Sequence, residues 1–367
     1  MNTNQNKKKD HIYFMTLALQ QAKRVLGNTK ANPSVGCVVI KNGHLIGAGR
    51  TSVDGRPHAE QNAFHSSKIN NKNSLLYSTL EPCSHYGKTP PCVNRIIKEK
   101  VKKVYFSIKD PDIRSFNKCS KKLRNVGIYV NEGIYKNKII SFYKDYLNIK
   151  TNKLPYVTCK IAISKDFYTI NKKNRWITNE FSRGRVHLMR SNHDCIISSS
   201  QTILNDNPKL TCRINGLKSF SPARVILDNK LKIKVYSNVI KEADRYSTII
   251  FYNKMNKRKI QLLNKLKVKT FKIPLDNKGN LDILRSLYKV KELGFSRVFL
   301  ESGIKLTSNF LSNNLVNNFV VFTSNNNLKK NGRYSFKSYL KNFLRDKKSK
   351  IEKVNLLGDH LTSYELK

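Results

Sequence analysis

Acidic residues are scarce in this sequence, and long apolar runs are missing from it. Only 24 Asp and Glu stand against 70 Lys and Arg, so the 367 residues carry a formal net charge of +46. No stretch approaches the roughly 18 apolar residues that a membrane-spanning helix needs. The polar segment Met1–Asp10 also lacks the apolar core of a secretory signal. We therefore expect a soluble, cytoplasmic chain without a membrane partner.

Cysteine and glycine patterns exclude two further classes of protein. The seven cysteines are odd in number and spread over a long chain, which argues against a disulfide scaffold and favours a reducing compartment. No G-x-G-x-x-G run occurs, so a dinucleotide fold of the usual Rossmann type is not supported. Hydrophobic residues make up 39% of the chain, which is enough for globular cores.

The positive charge permits two interpretations. One is a nucleic-acid-binding protein, because a basic surface attracts phosphates. The other is an ordinary enzyme with a composition rich in lysine and asparagine. The lysines are scattered, and the densest runs, Lys7–Lys9 and Lys347–Lys348, lie near the ends of the chain. We favour the second interpretation, with no nucleic-acid partner, and expect the diffuse field to attract anionic substrates.

The chain length predicts two domains. Both halves alternate strand-like and helix-like segments, which is typical of α/β layers. A polar stretch at Thr151–Lys153, followed by Pro155, predicts the boundary between them. We therefore assign residues 1–150 to the first domain and residues 151–367 to the second.

Local signals predict the elements of the first domain. Asp10 is expected to cap a helix that Gly27 closes. Asn42-Gly43, between two apolar runs, predicts a β-hairpin. The remaining predictions are strands at Leu75–Thr79 and Val104–Ile108 and a closing helix at Ile134–Ile149.

The same signals predict the elements of the second domain. A strand is expected at Tyr156–Ile163 and a helix at Asn179–Arg190. A helix is predicted over Ile283–Leu293, with Asp282 as its N-terminal cap and Gly294 ending it. Further strands are predicted at Cys195–Ser198, Val225–Asp228, Thr248–Phe251 and Val298–Leu300.

Two segments carry residues typical of a catalytic zinc site. The first is Pro57-His58-Ala59-Glu60, and the second runs from Glu81-Pro82-Cys83 to Cys92. One imidazole and two thiolates are three zinc ligands, which leave a fourth position open for water, as in catalytic sites. Zinc lowers the pKa of such a water towards ~7, and Glu60 can carry its proton to the substrate. We therefore predict a zinc-dependent deaminase with ligands His58, Cys83 and Cys92 and with Glu60 as its catalytic acid–base.

Two alternatives remain for these residues. Cysteines also occur as small buried apolar side chains without a metal. The prolines beside them, Pro82, Pro90 and Pro91, favour thiols held in fixed directions, and Pro91 suits the start of a helix. His85 is the nearest candidate for a fourth ligand, which would make the zinc structural rather than catalytic.

The spacing of the two cysteines separates classes of deaminase. Nucleic-acid and nucleoside deaminases typically carry P-C-x-x-C, whereas Cys92 is the next cysteine after Cys83 here. The run Glu-Pro-Cys-Ser-His-Tyr-Gly-Lys-Thr-Pro-Pro-Cys closely resembles the bifunctional riboflavin-biosynthesis deaminase–reductase family. The resemblance extends over about residues 10 to 325 through the segments Asn32–Cys37, Asp110-Pro111, Arg175–Thr178, Ser191–Leu210, Arg224–Asp228 and Glu301–Gly303.

This resemblance implies a fold and two consecutive reactions. A cytidine-deaminase-like three-layer α/β/α domain is expected first, and a dihydrofolate-reductase-like α/β domain second. The first would use one Zn2+ to deaminate 2,5-diamino-6-(5-phosphoribosylamino)pyrimidin-4(3H)-one. The second would use NADPH to reduce 5-amino-6-(5-phosphoribosylamino)uracil to its ribitylamino product. The resemblance also implies a homo-oligomer, a dimer or larger.

The resemblance assigns further site residues. Asn32 and Lys88 are expected to contact the deaminase substrate, Lys88 at its phosphate, with His85 bordering the same pocket. The expected NADPH contacts are Ala162, Trp176, Thr202, Asp206 and Asn229, followed by a loop of Gly303, Ile304, Lys305, Leu306, Thr307, Ser308 and Asn309. The expected reductase substrate contacts are Asn174, Arg190, Leu210, Arg213 and Glu301. Both arginines suit a phosphate, because a guanidinium binds it bidentately. The simpler alternatives are a solvated surface lysine for Lys88 and a core aromatic for Trp176.

Two segments depart from the family pattern. Ser164–Tyr168 replaces the usual Ser-Leu-Asp-Gly-Arg, and Asn325–Lys330 replaces an apolar, proline-containing stretch. A missing glycine changes how the backbone approaches a cofactor, so a deaminase with a weakened reductase domain is one alternative. The persistence of Thr202, Asp206 and Pro208 favours a working reductase.

The rival functions come from other classes of protein. A nucleic-acid (tRNA) deaminase with a basic accessory domain would fit the charge, but it predicts P-C-x-x-C and salt-sensitive RNA binding. If the protein were non-enzymatic and used zinc only to fold, Glu60→Gln would change no activity, because there would be none.

Overall fold

The computed structural model describes residues 2–151, 153–174 and 176–367, with the backbone alone for residues 2–8. Met1, Asn152 and Arg175 belong to the predicted N-terminal segment, domain boundary and reductase motif, and they lie outside the described residues. The chain divides into two compact units, Met1–Lys153 and Leu154–Lys367. None of the helices in the described ranges combines the length and the apolar character needed to cross a bilayer.

The first unit is built on a five-stranded sheet with the order β2-β1-β3-β4-β5. Strand β1 is antiparallel to β2 and β3, whereas β3, β4 and β5 are parallel. The strands are β1 Gly36–Lys41, β2 His44–Arg50, β3 Leu75–Leu80, β4 Lys103–Ile108 and β5 Tyr129–Glu132. The helices are α1 Asn2–Lys23, α2 Ala59–Ser66, α3 Cys92–Lys98, α4 Lys118–Arg124, α5 Lys136–Phe142 and α6 Lys144–Thr151.

The predicted β-hairpin is confirmed. Lys41 pairs with His44 across the turn, and Asn42 and Gly43 both have positive φ, at 51° and 78°. A two-residue turn of this kind matches the twist of the strands, which is why Asn-Gly is favoured there. A register shift between Val39 and Ile40 moves the pairing by one residue and brings Gly36 opposite Arg50.

Helices cover both faces of this sheet, so the predicted three-layer α/β/α arrangement is confirmed. Gly36 faces α1, since an added Cβ would lie 1.8 Å from the carbonyl oxygen of Ala18. Gly49 pairs with Cys37, the next residue of β1, and therefore faces the other side. A Cβ at Gly49 would lie 2.3 Å from the carbonyl oxygen of Ala59 in α2. Close packing of α1 and α2 thus depends on small residues in β1 and β2.

Two helix predictions in this unit are wrong. Helix α1 begins at Asn2, so Asp10 lies inside it and does not cap it, and it ends at Lys23, short of Gly27. The predicted closing helix is two helices, because the chain leaves helical geometry at Tyr143. The buried Tyr143 hydroxyl donates to the Ser34 carbonyl at 3.0 Å and lies 2.7 Å from Thr79 Oγ1. These long-range hydrogen bonds fix the break between α5 and α6. The periodicity of apolar residues along the sequence could not predict them.

The second unit is built on a nine-stranded sheet with the order β11-β10-β9-β8-β12-β6-β13-β16-β15. The seven strands from β11 to β13 are parallel, and β16 and β15 add antiparallel pairings. These strands are β6 Tyr156–Ile163, β8 Cys195–Ser199, β9 Ala223–Leu227, β10 Thr248–Tyr252, β11 Lys269–Lys272, β12 Arg297–Glu301, β13 Asn318–Thr323, β15 Ser349–Ile351 and β16 His360–Glu365. The helices are α7 Glu180–Ser191, α8 Ser200–Asp206, α9 Asn238–Lys241, α10 Lys257–Lys265, α11 Ile283–Glu292, α12 Ile304–Ser312 and α13 Lys337–Leu344.

Several local predictions for this unit are confirmed. Strand β6 has the predicted bounds. The Asp282 side chain accepts a hydrogen bond from Arg285 N and caps α11, and Gly294 follows that helix with φ of 92°. Asn179 caps α7 in the same way through Ser182 N. Side-chain caps of this kind satisfy N–H groups that the first helical turn leaves unpaired.

The departing segment Ser164–Tyr168 connects β6 to a small separate sheet. Strands β7 Tyr168–Asn171 and β14 Gly332–Ser335 pair antiparallel. Phe167, which stands where the family has glycine, keeps a positive φ of 69°. Gly332 lies under the Tyr168 ring, since an added Cβ would be 2.2 Å from that ring. The backbone therefore retains the glycine-like turn, at the cost of strain on a phenylalanine.

Candidate functional site

The predicted zinc ligands of the first unit meet at one place. His58 is the residue before α2, Cys83 follows β3, and Cys92 begins α3. His58 Nδ1 lies 3.5 Å from Cys83 Sγ and 3.4 Å from Cys92 Sγ, and all three ligand atoms lie within 4.8 Å of one another. One strand end and two helix starts therefore bring one nitrogen and two sulfur atoms together.

This donor set fits a zinc ion. Hydrogen bonding between the two thiols lowers the pKa of Cys83, with His58 adding to the effect, and raises the pKa of Cys92, so the Cys83 sulfur is the one that loses its proton first. A thiolate and an imidazole are ligands that zinc prefers. Within the described residues the metal-binding group has three members. His85 faces elsewhere, because its Nδ1 lies 2.8 Å from Ser115 Oγ. The ligand set therefore has the open fourth position of a catalytic site.

Glu60 lies in the first turn of α2 beside this donor set, and only 3% of it is exposed. Burial, followed by the charge of Cys83, raises the pKa of Glu60 above its ordinary value. Ser78, fully buried on β3, donates from Oγ to Glu60 Oε1 at 3.1 Å. The sequence analysis missed Ser78, since every residue of β3 except the first is buried and no alternation marks its face.

A second carboxylate organises the loops around the site. Glu81 accepts backbone N–H bonds from Asp110 at 3.2 Å, Asn117 at 3.3 Å and Cys119 at 3.2 Å. Glu81 directly precedes Pro82-Cys83, so these bonds fix the chain leading to the first thiol. In the sequence, Glu81 stands out only as part of the Glu-Pro-Cys motif. Its role depends on chain segments about 30 residues away, which no local pattern indicates.

The two predicted substrate contacts of this unit differ in exposure. Lys88 is exposed, in the loop between Cys83 and Cys92. Asn32 is half-buried and packs against Gly55, where an added Cβ would lie 2.2 Å from Asn32 Nδ2. Gly55 has φ of 93°, a conformation that favours glycine. The contact between these residues therefore requires glycine at position 55.

In the second unit, the predicted cofactor positions lie along one edge of the parallel sheet. Ala162 is near the carboxyl end of β6, Thr202 is in the first turn of α8 after β8, and Asn229 follows β9. Parallel strands have their carboxyl ends on the same edge, where open α/β sheets bind ligands. Asp206 ends α8 and is exposed.

The predicted loop Gly303–Asn309 is not a loop. Gly303 is the residue before α12, and residues 304–309 form the first turns of that helix. Thr307 is fully buried and lies 4.0 Å from Cys159 in β6, so its side chain packs in the core. Gly303 supplies no side-chain cap, and nothing lies within 4 Å of where its Cβ would be. Open N–H groups at a helix start suit a phosphate, so this end of α12 fits the nucleotide part of NADPH.

Glu301, the last residue of β12, is the centre of an ion cluster whose three side chains are only 10–18% exposed. It accepts from Arg190 Nε at 3.0 Å and Nη2 at 2.9 Å, and Lys160 Nζ lies 3.7 Å away. Burial alone would raise the pKa of Glu301, but the charges of Arg190 and Lys160 outweigh it and lower the pKa to about 2. Arg190 also donates from Nη1 to the Thr211 carbonyl at 3.0 Å. Sequence reasoning found Arg190 and Glu301 and missed Lys160, which faces Glu301 across the strand pairing.

The other predicted residues of this unit differ in exposure. Leu210 is buried in a hydrophobic core cluster, with a positive φ of 55°. Arg213 and Asn174 are exposed. Trp176 is 48% exposed and its ring lies 4.9 Å from the guanidinium of Arg183, so it is not a core aromatic.

Family models match both units. Residues 8–108 match the cytidine and deoxycytidylate deaminase zinc-binding region, and residues 155–350 match the RibD C-terminal domain. The first match covers the whole donor set and Glu60. Fold, donor set and match together define the class as a two-domain protein with a zinc-dependent deaminase domain.

Full-length relatives identify the family. Riboflavin biosynthesis protein RibD of Bacillus amyloliquefaciens is 35% identical over 82% of this chain and 80% of its own length. RibD of Aquifex aeolicus is 33% identical over 84% and 85%. The structure of a diaminohydroxyphosphoribosylaminopyrimidine deaminase/5-amino-6-(5-phosphoribosylamino)uracil reductase from Thermotoga maritima is 30% identical, with a TM-score of 0.83 over 98% of this chain and 99% of that one. The chain belongs to the RibD family of riboflavin biosynthesis proteins.

Proposed function

We propose that this chain is a bifunctional enzyme of riboflavin biosynthesis. Its first unit deaminates the phosphoribosylated diaminopyrimidinone, and its second unit reduces the ribosyl group of the resulting aminouracil with NADPH. The observation that carries the proposal is the His58, Cys83 and Cys92 donor set with buried Glu60 beside it, in a member of the RibD family. The relative from Thermotoga maritima is named for both activities.

The deaminase chemistry is assigned to Glu60. Zinc held by His58, Cys83 and Cys92 supplies a Lewis acid that lowers the pKa of water. Glu60 would take a proton from the attacking water and deliver it to the pyrimidine ring, and would then move the proton of the newly added hydroxyl to the amine, which leaves as ammonia. Burial raises the pKa of Glu60, which brings it closer to the pH at which it must both accept and donate. Asn32 and Lys88 bind the substrate, Lys88 at its phosphate.

The reductase chemistry is assigned to the carboxyl edge of the second sheet. NADPH supplies the hydride. The residues that hold it are Ala162, Trp176, Thr202, Asp206, Asn229, Gly303, Ile304, Lys305, Leu306, Ser308 and Asn309, whereas Thr307 is buried and supports α12 from within the core. Glu301 stays ionised beside Arg190 and Lys160, which suits a carboxylate that accepts a hydrogen bond from a sugar hydroxyl. Asn174, Arg190, Leu210 and Arg213 complete the substrate contacts.

The proposal extends to organisation and location. We assign the deaminase to residues 1–150 and the reductase to residues 151–367, in a cytoplasmic homo-oligomer of two or more chains. The support is the family resemblance and the division into two units close to that boundary. Light scattering on the purified chain measures the mass, and a single-chain mass would remove the oligomer from the proposal.

The test of function measures both steps in one protein. Zinc-loaded protein is mixed with the diaminopyrimidinone phosphate, and ammonia release and NADPH oxidation are followed separately. Glu60→Gln should abolish ammonia release, yet still oxidise NADPH when the aminouracil is supplied directly, because Glu60 belongs to the first unit only. Glu99→Gln, a carboxylate paired with Arg95 on α3, is the matched control and should retain both activities.

Two results would contradict the proposal. No ammonia release from zinc-loaded wild-type protein would reject the deaminase. Ammonia release without NADPH oxidation, even with the aminouracil supplied, would leave a deaminase whose second unit has lost its chemistry.

A further inference from the structure

Arg56 lies between the metal-binding group and the loop that joins its two cysteines. Its Nη1 donates to Thr89 Oγ1 at 2.6 Å and lies 3.3 Å from His58 Nε2. Its Nη2 lies 3.4 Å from where a Cβ of Gly87 would be. The guanidinium therefore rests on the two residues that flank Lys88 in the chain.

Arg56 also follows the glycine against which Asn32 packs. A Cβ at Gly55 would lie 2.2 Å from Asn32 Nδ2, so no side chain separates Asn32 from the backbone leading to Arg56. Arg56 thus lies against the residues on either side of Lys88 and directly follows the glycine that Asn32 contacts. No motif in the sequence singles out this arginine among 70 basic residues.

The contacts of Arg56 do not explain a charged residue at this place. Among the described residues no carboxylate lies within ion-pair distance of it, and Asp54 nearby pairs with Lys30 at 2.9 Å instead. A metal-binding histidine usually donates its second ring N–H to an acceptor. A guanidinium has no acceptor atom, so Arg56 cannot orient His58 in that way. The hydrogen bond to Thr89 uses one nitrogen of a group that has five N–H donors.

We propose that Arg56 binds the phosphate of the deaminase substrate together with Lys88, and that it sets the preference for phosphorylated over dephosphorylated pyrimidines. This inference rests on the proposed function. A guanidinium binds phosphate through two parallel hydrogen bonds, and a nearby ammonium adds a point charge. The half-buried position beside His58 strengthens both interactions relative to bulk water.

The experiment compares Arg56→Gln with three other variants on two substrates. One substrate is the diaminopyrimidinone with its 5-phosphate, and the other lacks the phosphate. Arg56→Gln should raise KM for the phosphorylated substrate about 10- to 100-fold, the loss expected for a hydrogen-bonded charge pair. It should leave kcat nearly unchanged and the unphosphorylated substrate unaffected. Arg56→Lys should recover part of the loss, because it keeps the charge and loses the fork.

Two controls separate binding from loop support and from net charge. Thr89→Val removes the acceptor of the Arg56 hydrogen bond and leaves the guanidinium, so it should keep the preference for phosphate. Lys30→Gln removes a charge from a neighbouring exposed ion pair and should change neither substrate. A readout independent of turnover is the binding of ribose 5-phosphate to the metal-free protein by calorimetry, which Arg56→Gln should weaken by the same factor.

The outcomes are distinct. Wild-type protein that deaminates neither substrate rejects the proposed function itself. If the wild type is active, equal losses on both substrates, or the same loss in Thr89→Val, would overturn the role of Arg56 in phosphate binding. A loss of zinc content in Arg56→Gln with unchanged ribose 5-phosphate binding would overturn it as well.

Discussion

Replacing Glu301 by glutamine removes the one negative charge of a buried cluster that holds two cations. Glu301 accepts two hydrogen bonds from Arg190, with Lys160 3.7 Å away. Lowering its pKa from the ordinary 4.5 to about 2 corresponds to about 3 kcal/mol of stability near neutral pH, at about 1.4 kcal/mol per pH unit. Leaving two buried cations without a partner costs a similar amount, about 3–5 kcal/mol. We therefore expect Glu301→Gln to lower the free energy of unfolding of the second unit by about 3 kcal/mol.

The pH dependence follows from the sign of this shift. A carboxyl whose pKa is lower in the folded state contributes stability above its unfolded pKa and loses it as pH falls towards the folded one. The difference between wild type and Glu301→Gln should therefore be full near pH 7 and fall by about half near pH 3.

Urea unfolding followed by tryptophan fluorescence measures this difference. Trp176 is the single tryptophan of the chain and belongs to the second unit, so its signal reports that unit alone. Glu292→Gln is the matched control, because Glu292 pairs with Lys289 on the surface and exposed pairs contribute less than about 1 kcal/mol. If Glu301→Gln were no more destabilising than Glu292→Gln, the cluster would not hold the sheet edge together.

Three further predictions address other sites. Ser78→Val, which removes the hydrogen bond to Glu60, should lower kcat for ammonia release about tenfold at constant zinc content, while Ser78→Thr should retain most of it. Of the seven cysteines Cys83 alone is not buried, so it should react with iodoacetamide once a chelator has removed the metal, and added zinc should protect it. Peptide mass spectrometry identifies the labelled cysteine, and labelling of another cysteine first would contradict this prediction. Arg224 is fully buried and donates to three backbone carbonyls. Arg224→Met should therefore lower the free energy of unfolding by about 3–5 kcal/mol, and a decrease below about 1 kcal/mol in the same urea assay would refute this structural role.

Short-range features of this protein could be predicted from its sequence. The Asn42-Gly43 turn, the Asp282 cap and the bounds of β6 depend on backbone preferences within a few residues. The three zinc ligands were also predictable, because zinc binding requires these residue types and their spacing forms a recognisable motif. The fold class followed from the alternation of strands and helices and from the family resemblance.

Features set by long-range packing could not be predicted. Ser78 reaches Glu60 only because β3 pairs with β1 and places this face towards α2. The start of α12 at Ile304 could not be predicted, because the glycine-containing motif before it is also typical of a loop. Asp10 was predicted to cap α1, because an acidic residue within a helix resembles a cap when only local sequence is considered. The helix instead begins at Asn2.

Lys160 has a consequence for the synthesis of the chain. Strand β6 is the first strand of its unit to leave the ribosome, but its sheet partners β12 and β13 follow only after about 130 residues or more. At about 5–20 residues per second, this strand waits roughly 7–30 s without its partners. Unpaired strands of this composition tend to join those of other nascent chains, and a charge within the strand opposes such pairing. The lysine that later pairs with Glu301 is therefore also expected to oppose pairing of the waiting strand with other chains.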